Sequence, residues 1–393
     1  MPEPREELDP RADPRADPAT DPRTEPPDDW RTDARVALLP WVLSRLVVVA
    51  ALYGARRLFD DLGRLPRPIQ LDQGLFAWDG AFYRHIAEDG YRAVGRASLR
   101  FFPLVPMLAK GLGVVMFGHT AAALLVLVNV AAFLFLASLH RLVLRETGDA
   151  ATAARAVWFA ALFPLASVLV LGYAESIAML LAVWMFMALR RGNFWWAALA
   201  GVGAGLCRPV GVLLVVPAVI EGWRGFDHAA ARDRIARVAA MVSPVAGVVA
   251  FLAWVGVEFG DAWLPVSEQN KATLRGGFQD PFTRAIDGIS DAFHHHFSSA
   301  VHLAWAAGFV VLLVVVARKL PASYTWYCGA TLLVALSAKN LDSLERYVMS
   351  SFPFVIGLAI LAKRKDVERT VLVLAALGMA GYATVFFLGL GAP

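Results

Sequence analysis

From Val36 onward the chain alternates between long apolar runs and short clusters of charged residues. A helix crossing about 30 Å of hydrocarbon takes roughly 20 apolar residues. Windows approaching that length, with few charges inside, lie near 36–55, 119–140, 155–171, 174–189, 194–207, 209–222, 238–257, 299–317, 321–338, 347–362 and 370–389. The pattern predicts an all-α polytopic membrane protein with about 11 transmembrane helices. One further apolar stretch, Phe101 to Phe117, is short and holds Pro103, Pro106, Lys110 and two glycines. It reads as a helix lying in the membrane interface, not as a span.

The polar connections carry a second pattern. Arg141, Arg145 and Arg155 fall in one of them, Arg190 and Arg191 in the next but one, then Arg224, Arg232, Arg234 and Arg237, then Arg318 and Lys319, then Lys363, Arg364, Lys365 and Arg369. Every second connection is basic, which assigns those to the cytoplasm together with the amino terminus. The outward set is then a large first loop, 56–118, followed by Gly172-Tyr173, the break at Arg208-Pro209, a second large loop, 258–298, and Lys339 to Arg346. The first loop is itself rich in arginine, but at roughly 60 residues it reaches the length where the charge rule stops discriminating. Ahead of the spans, residues 1–34 repeat Asp-Pro-Arg in a proline-rich, aromatic-poor stretch that cannot bury a core. They are expected to form a disordered cytoplasmic tail, leaving 35–393 as the membrane domain.

Composition agrees: of 393 residues, 58% are hydrophobic and 18% charged, too apolar for soluble domains of that length. The formal charge of +4 is spread over topology signals and forms no basic patch, so no nucleic-acid partner is expected. Cys207 and Cys328 both sit in apolar stretches and offer neither a disulfide framework nor metal-ligand spacing. His294, His295 and His296 look like a metal tract, yet without nearby acids they read as a polar interfacial loop, and no metal or other cofactor is expected. The chain has no Walker loop, no G-x-G-x-x-G and no H-E-x-x-H, which argues against a nucleotide-driven pump and a zinc protease.

Candidate chemistry gathers on the outward loops. The densest segment runs from Phe76 to Tyr91 around Trp78-Asp79. Asp79 can be the N-cap of an amphipathic helix, or a carboxylate beside aromatic surface at the edge of a low-dielectric bundle, positioned to act as a base. Glu175, in Tyr173-Ala174-Glu175-Ser176, can cap the helix that follows it or face a substrate. Arg208-Pro209 interrupts the apolar run from Phe194 to Ile220. Its proline breaks the helix, and its arginine either pairs with Glu175 or Asp79 or forms a fixed anion site. Arg346 is either an interface residue or a second phosphate contact, whereas Lys271 and Arg275 read as solvated loop cations.

Residues 76–91, with the pattern W-D-x-x-x-Y-x-x-I-A-x-x-G-Y, and the F-F-P-L-x-P run at Phe101 to Pro106 resemble the PIG-V family of mannosyltransferases. Phe163-Pro164, Tyr173 to Ser176, the C-R-P-x-G break at Cys207 to Gly211, Glu345-Arg346-Tyr347 and Phe352-Pro353 follow in the same order. The family's break more often reads Thr-Arg-Pro, and nothing in the resemblance accounts for 258–298. The resemblance implies a type C glycosyltransferase architecture, with amphipathic interfacial helices and the catalytic Asp79 in the first outward loop. It implies a polyprenyl phosphate mannose donor, Arg208 and Arg346 on the donor phosphate, and Trp78, Tyr83 and Glu175 on the substrate. The acceptor would be a glycolipid or lipoglycan, and the setting a bacterial plasma membrane. The alternative is a secondary transporter or flippase of a lipid-linked or small anionic solute, because broken helices and intramembrane charge also mark transport sites.

Overall fold

The apolar windows become helices of two lengths in the computed structural model, which describes residues 29–62, 66–284, 286–287, 297–342 and 344–391. Nearly all of the expected amino-terminal tail, and His294 to His296, lie outside these residues. Among them, five helices are long and apolar enough to cross a membrane: α1 (Trp30–Leu62), α6 (Thr120–Thr147), α11 (Ala231–Phe259), α13 (Phe297–Lys319) and α17 (Lys365–Phe387). The rest are shorter: α2 (Ile69–Gln73), α3 (Asp79–Asp89), α4 (Tyr91–Val94), α5 (Leu104–Val115), α7 (Ala150–Leu162), α8 (Glu175–Arg190), α9 (Phe194–Cys207), α10 (Val215–Trp223), α12 (Leu264–Gln269), α14 (Ala322–Leu336), α15 (Leu344–Met349) and α16 (Pro353–Leu361). The described residues contain no strand beyond an isolated bridge between Phe278 and Ala338. The chain is an all-α, multi-pass integral membrane protein.

Three windows expected as continuous helices are divided. The first, 155–171, stops at Leu162, before Phe163-Pro164, and resumes as a 3-10 turn at Ala166–Leu169. The second, 209–222, begins as a 3-10 helix, Pro209–Leu214, before α10. The third, 347–362, splits into α15 and α16 at Ser350 to Phe352. Proline explains the first two: it supplies no N–H and pushes the preceding residue out of the helical region. Arg208 accordingly sits at φ −154° and ψ 150°, fully extended. At 1.5 Å per residue, the 13 residues of α7 reach about 20 Å, well short of the hydrocarbon thickness. The broken ends therefore fall inside the helical bundle.

Close packing fixes where the breaks point. α9 crosses α11 so tightly that a Cβ on Gly205 would strike the Pro244 carbonyl oxygen, and one on Gly247 the Val202 carbonyl oxygen. Small residues let helix backbones touch where lipid supplies no hydrophobic drive between helices. α6 packs against α1, α5, α7 and α8. Gly172 rests on Leu124 near the start of α6 and on Phe76, which brings the Trp78-Asp79 segment to that end of the bundle. At the opposite end, buried Asp33 receives His140 Nδ1 at 2.6 Å and Arg141 Nε at 2.7 Å. Further along the same helix, Glu146 pairs with Arg190 at 2.8 Å.

Candidate active site

Asp79 opens α3, but it is not the N-cap: Trp78 holds that position. Trp78 has φ 59° and ψ −121°, a left-handed backbone that a bulky side chain rarely adopts and that costs about 1–3 kcal/mol. Its indole N–H donates to the Phe386 carbonyl at 2.9 Å, which pins the strained turn to α17. The Asp79 backbone N–H donates to the Tyr173 hydroxyl at 3.2 Å. The Asp79 carboxylate is thereby freed from capping, placed at the positive end of α3, and accepts Arg346 Nη1 at 2.8 Å.

Glu175 is not a cap either. Ala174 takes that position, and Glu175, 2% exposed, is the first residue of α8. Its Oε1 lies 2.6 Å from Arg208 Nη1 and 3.5 Å from Arg346 Nε. The extended turn at Pro209 lets Arg208 pair with Glu175 while still lining the cavity above. These ion pairs are close but poorly aligned: Glu175 Oε1, Arg208 Nη1 and Arg346 Nε are buried and lack a well-directed hydrogen bond. Burying a charge is tolerable only when it is paired, and here one carboxylate serves two guanidiniums. Cys207, where the resembled family more often has threonine, turns its thiol to the Ala174 carbonyl at 3.7 Å.

Above this cluster opens a cavity of 460 Å³. Trp78, Asp79, Tyr83, Arg208 and Arg346, expected as site residues from the sequence, all line it. Glu175, the sixth, lies beneath the wall, where it holds the arginines and is too buried to present a face to solvent. Tyr83 stands one helical turn beyond Asp79 on the same face and packs edge-on against Phe101 at 5.2 Å between centroids. Burial pushes its phenol well above the ordinary value, so it remains a neutral hydroxyl. Phe82 stacks on Phe101 with centroids 4.7 Å apart and planes at 18°, giving the cavity an aromatic wall.

Other lining residues were not assigned to the site from the sequence, and Arg275, expected to be a solvated loop cation, lies in the cavity wall instead. Arg100 lies over Phe101, and Arg275 over Tyr347. Asn340, Asp342, Gln269, Gln70, Gln73 and Thr273 add polar groups to the wall. Behind Arg346, His302 Nδ1 meets the buried Glu345 at 2.6 Å. Tyr173 and Tyr347 sit inside recognised motifs, so a signal existed for them. Arg275 had none, because a loop arginine looks the same whether it faces solvent or a cavity. The residues that could hold a metal among those described, His85, Glu88 and Asp89, are exposed on α3, where Arg84 already pairs with Glu88 at 3.0 Å.

A model of glycosyltransferase family 87 matches residues 102–343, more than half of the chain. The chain belongs to glycosyltransferase family 87. No curated protein matches it. The family 87 match includes Glu175, Arg208 and Arg275 and ends on either side short of Asp79 and Arg346, whose place in the site rests on geometry. Membership in family 87 makes the protein a membrane glycosyltransferase and gives no support to the transporter alternative. The aromatic wall and paired charges of the cavity suit such an enzyme, since sugar rings stack on aromatic faces and charged leaving groups need fixed dipoles.

Proposed function

We propose that this family 87 glycosyltransferase moves a mannosyl group from polyprenyl phosphate mannose to a hydroxyl of a glycolipid or lipoglycan, with inversion, and that Asp79 is the general base. The observation that carries the reading is the carboxylate of Asp79 on the wall of a cavity whose other charged side chains are mostly arginines. The likeness of Trp78 to Pro106 to the PIG-V mannosyltransferases supports the choice of sugar and donor. Basic clusters on alternate connections support an outward-facing site with the amino terminus in the cytoplasm, and alanine- and arginine-rich usage supports a bacterial envelope setting.

In this reading the acceptor oxygen attacks the anomeric carbon of a β-linked mannosyl phosphate while its proton passes to Asp79. The bond from that carbon to the phosphate oxygen breaks with its electron pair, and polyprenyl phosphate departs, leaving an α linkage. Two carboxylates near the reacting centre divide the labour, Asp79 taking the proton and Glu175 holding Arg208 and Arg346 toward the leaving group. Fixed donors of this kind contribute roughly 3 to 4 kcal/mol each to the transition state. The lipid carries a single phosphate, which arginines can offset, so no metal is called on. Asp79 is paired with Arg346 before substrate binds, and the arriving phosphate draws that arginine away and frees the base.

The test is transfer of labelled mannose from polyprenyl phosphate mannose by the full-length protein in proteoliposomes, followed by identification of the labelled lipid. Asp79→Asn should lower the rate roughly 100- to 10,000-fold, the range of a general base. Near wild-type transfer by that variant would overturn the assignment of Asp79, and absence of transfer by the wild type would overturn the choice of donor.

A further inference from the structure

Arg208 and Arg346, the cations expected on the donor phosphate, already face carboxylates. Arg208 is 2.6 Å from Glu175, and Arg346 is 2.8 Å from Asp79 and 3.5 Å from Glu175. A phosphate meeting only these four groups would meet two positive and two negative charges. The same cavity has two more arginines, Arg100 and Arg275, and one more acid, Asp342. Arg100 donates from Nε to the Ala97 carbonyl at 3.1 Å. Asp342 accepts Asn340 Nδ2 at 2.8 Å and lies 3.8 Å from His302 Nε2. Among the described residues no carboxylate comes within ion-pair distance of Arg100 or Arg275, but Arg275 alone of the two shares a ring with Arg208 and Arg346, its guanidinium sitting 4.5 Å over Tyr347.

Backbone contacts on both sides fix its position. The Arg275 carbonyl accepts Asn340 N at 3.1 Å, and its N–H donates to Gln269 O at 3.2 Å. Gly277 O accepts Lys339 N at 3.3 Å, Gln279 N donates to Ser337 O at 3.2 Å, and Phe278 bridges to Ala338. Gly276 and Gly277, at φ 69° and 88°, make the turn that begins this strap. The strap ties residues 275–279 to the chain just ahead of Arg346 and Tyr347. The Tyr347 ring then has three guanidiniums around it: Arg275 at 4.5 Å, Arg208 at 5.4 Å and Arg346 at 5.5 Å. An aromatic face attracts cations without adding a competing acid.

We propose that Arg275 binds the phosphate of the lipid-linked donor. Among the described residues it has no carboxylate partner, Arg100 is turned to the Ala97 carbonyl instead, and Tyr347 holds Arg275 in register with Arg208 and Arg346. The inference rests on the reading of the cavity as a lipid-phosphate sugar site. It also gives residues 269–275 a role, that of lining one side of the cavity with a charge that a planar, five-donor side chain can direct at phosphate oxygens.

The experiment measures binding of farnesyl phosphate to the purified full-length protein in micelles by calorimetry, with farnesol and inorganic phosphate as companion probes. Wild type should bind farnesyl phosphate more tightly than either companion. Arg275→Ala should weaken it by about 10-fold or more, as expected for a lost charge-assisted hydrogen bond, and Arg275→Lys should recover part of the loss. Should Arg275→Ala not fold, Arg275→Gln makes the same comparison. Wild-type affinity in a folded Arg275→Ala or Arg275→Gln variant would overturn the proposal, as would equal affinity for inorganic phosphate, which would mark a free-anion site. The readout is separate from catalysis. If the wild type fails to transfer mannose yet binds farnesyl phosphate through Arg275, the mannosyl reading falls and this one stands. If transfer proceeds with an unchanged donor KM in Arg275→Ala, the reverse holds.

Discussion

Two carboxylates face the same arginine, Arg346, with different burial, and the difference decides what each can do. The Glu175 side chain is 2% exposed and the Asp79 side chain 30%. Neutralising Glu175 leaves two buried guanidiniums facing each other, and breaking a buried pair typically costs about 3–5 kcal/mol. Glu175→Gln should therefore lower the thermal unfolding midpoint clearly and reduce transfer with it. Asp79→Asn should lower transfer roughly 100- to 10,000-fold with little change in that midpoint, because Asp79 is partly exposed and Arg346 keeps Glu175 as its partner. A folded, heat-stable Glu175→Gln protein would show that the arginines find other partners and that Glu175 is dispensable to the fold. Spacing alone made both acids candidates for helix caps, and only the family resemblance separated a catalytic Asp79 from a Glu175 on the substrate. Capping was excluded only when Trp78 and Ala174 were found in the cap positions.

Helices explain why the arginines arrive where they do. Arg208 leaves α9 at an extended residue before proline, and α9 is held against α11 by backbone contact at Gly205 and Gly247. Gly205→Val should force the helices apart and displace Arg208, with a loss of about 1–3 kcal/mol or more from overpacking. The expected signs are a lower unfolding midpoint and a raised donor KM. Gly54→Ala in α1, where an added Cβ meets nothing within 4 Å, should leave both unchanged or improve stability slightly. Equal behaviour of the two variants would show that the α9–α11 crossing does not position the site. The break at Arg208-Pro209 was legible in its apolar run, whereas Phe163-Pro164 lay inside a window expected to be continuous and was found only as the end of α7. The effect of either break on span length was not legible: a sequence window counts apolar residues and does not register that a broken helix becomes a half-helix ending inside the bundle.

Across the whole molecule, charges are sorted to two ends with different purposes. At the end away from Asp79, the buried Asp33 joins α1 to α6 through His140 and Arg141. Asp33→Ala should destabilise the protein, as loss of one member of a buried ionic cluster does, while leaving the affinity for farnesyl phosphate in the folded fraction at the wild-type value. A changed affinity would mean that the two ends are coupled. The sequence by itself determined the helical class, the order and approximate places of the apolar segments, the break at Arg208-Pro209 and five of the residues that line the cavity. Those follow from local rules, because hydrophobic run length and missing N–H groups act within a turn or two of the chain. Only the tertiary structure decided that Asp79 meets Arg346 across 267 positions, that Glu175 lies beneath the site and not on its wall, and that Arg275 shares the Tyr347 ring with Arg208 and Arg346. A charged side chain carries no mark of its partner in the sequence. The partner is set by which helices pack together, and packing is a property of shapes far apart along the chain.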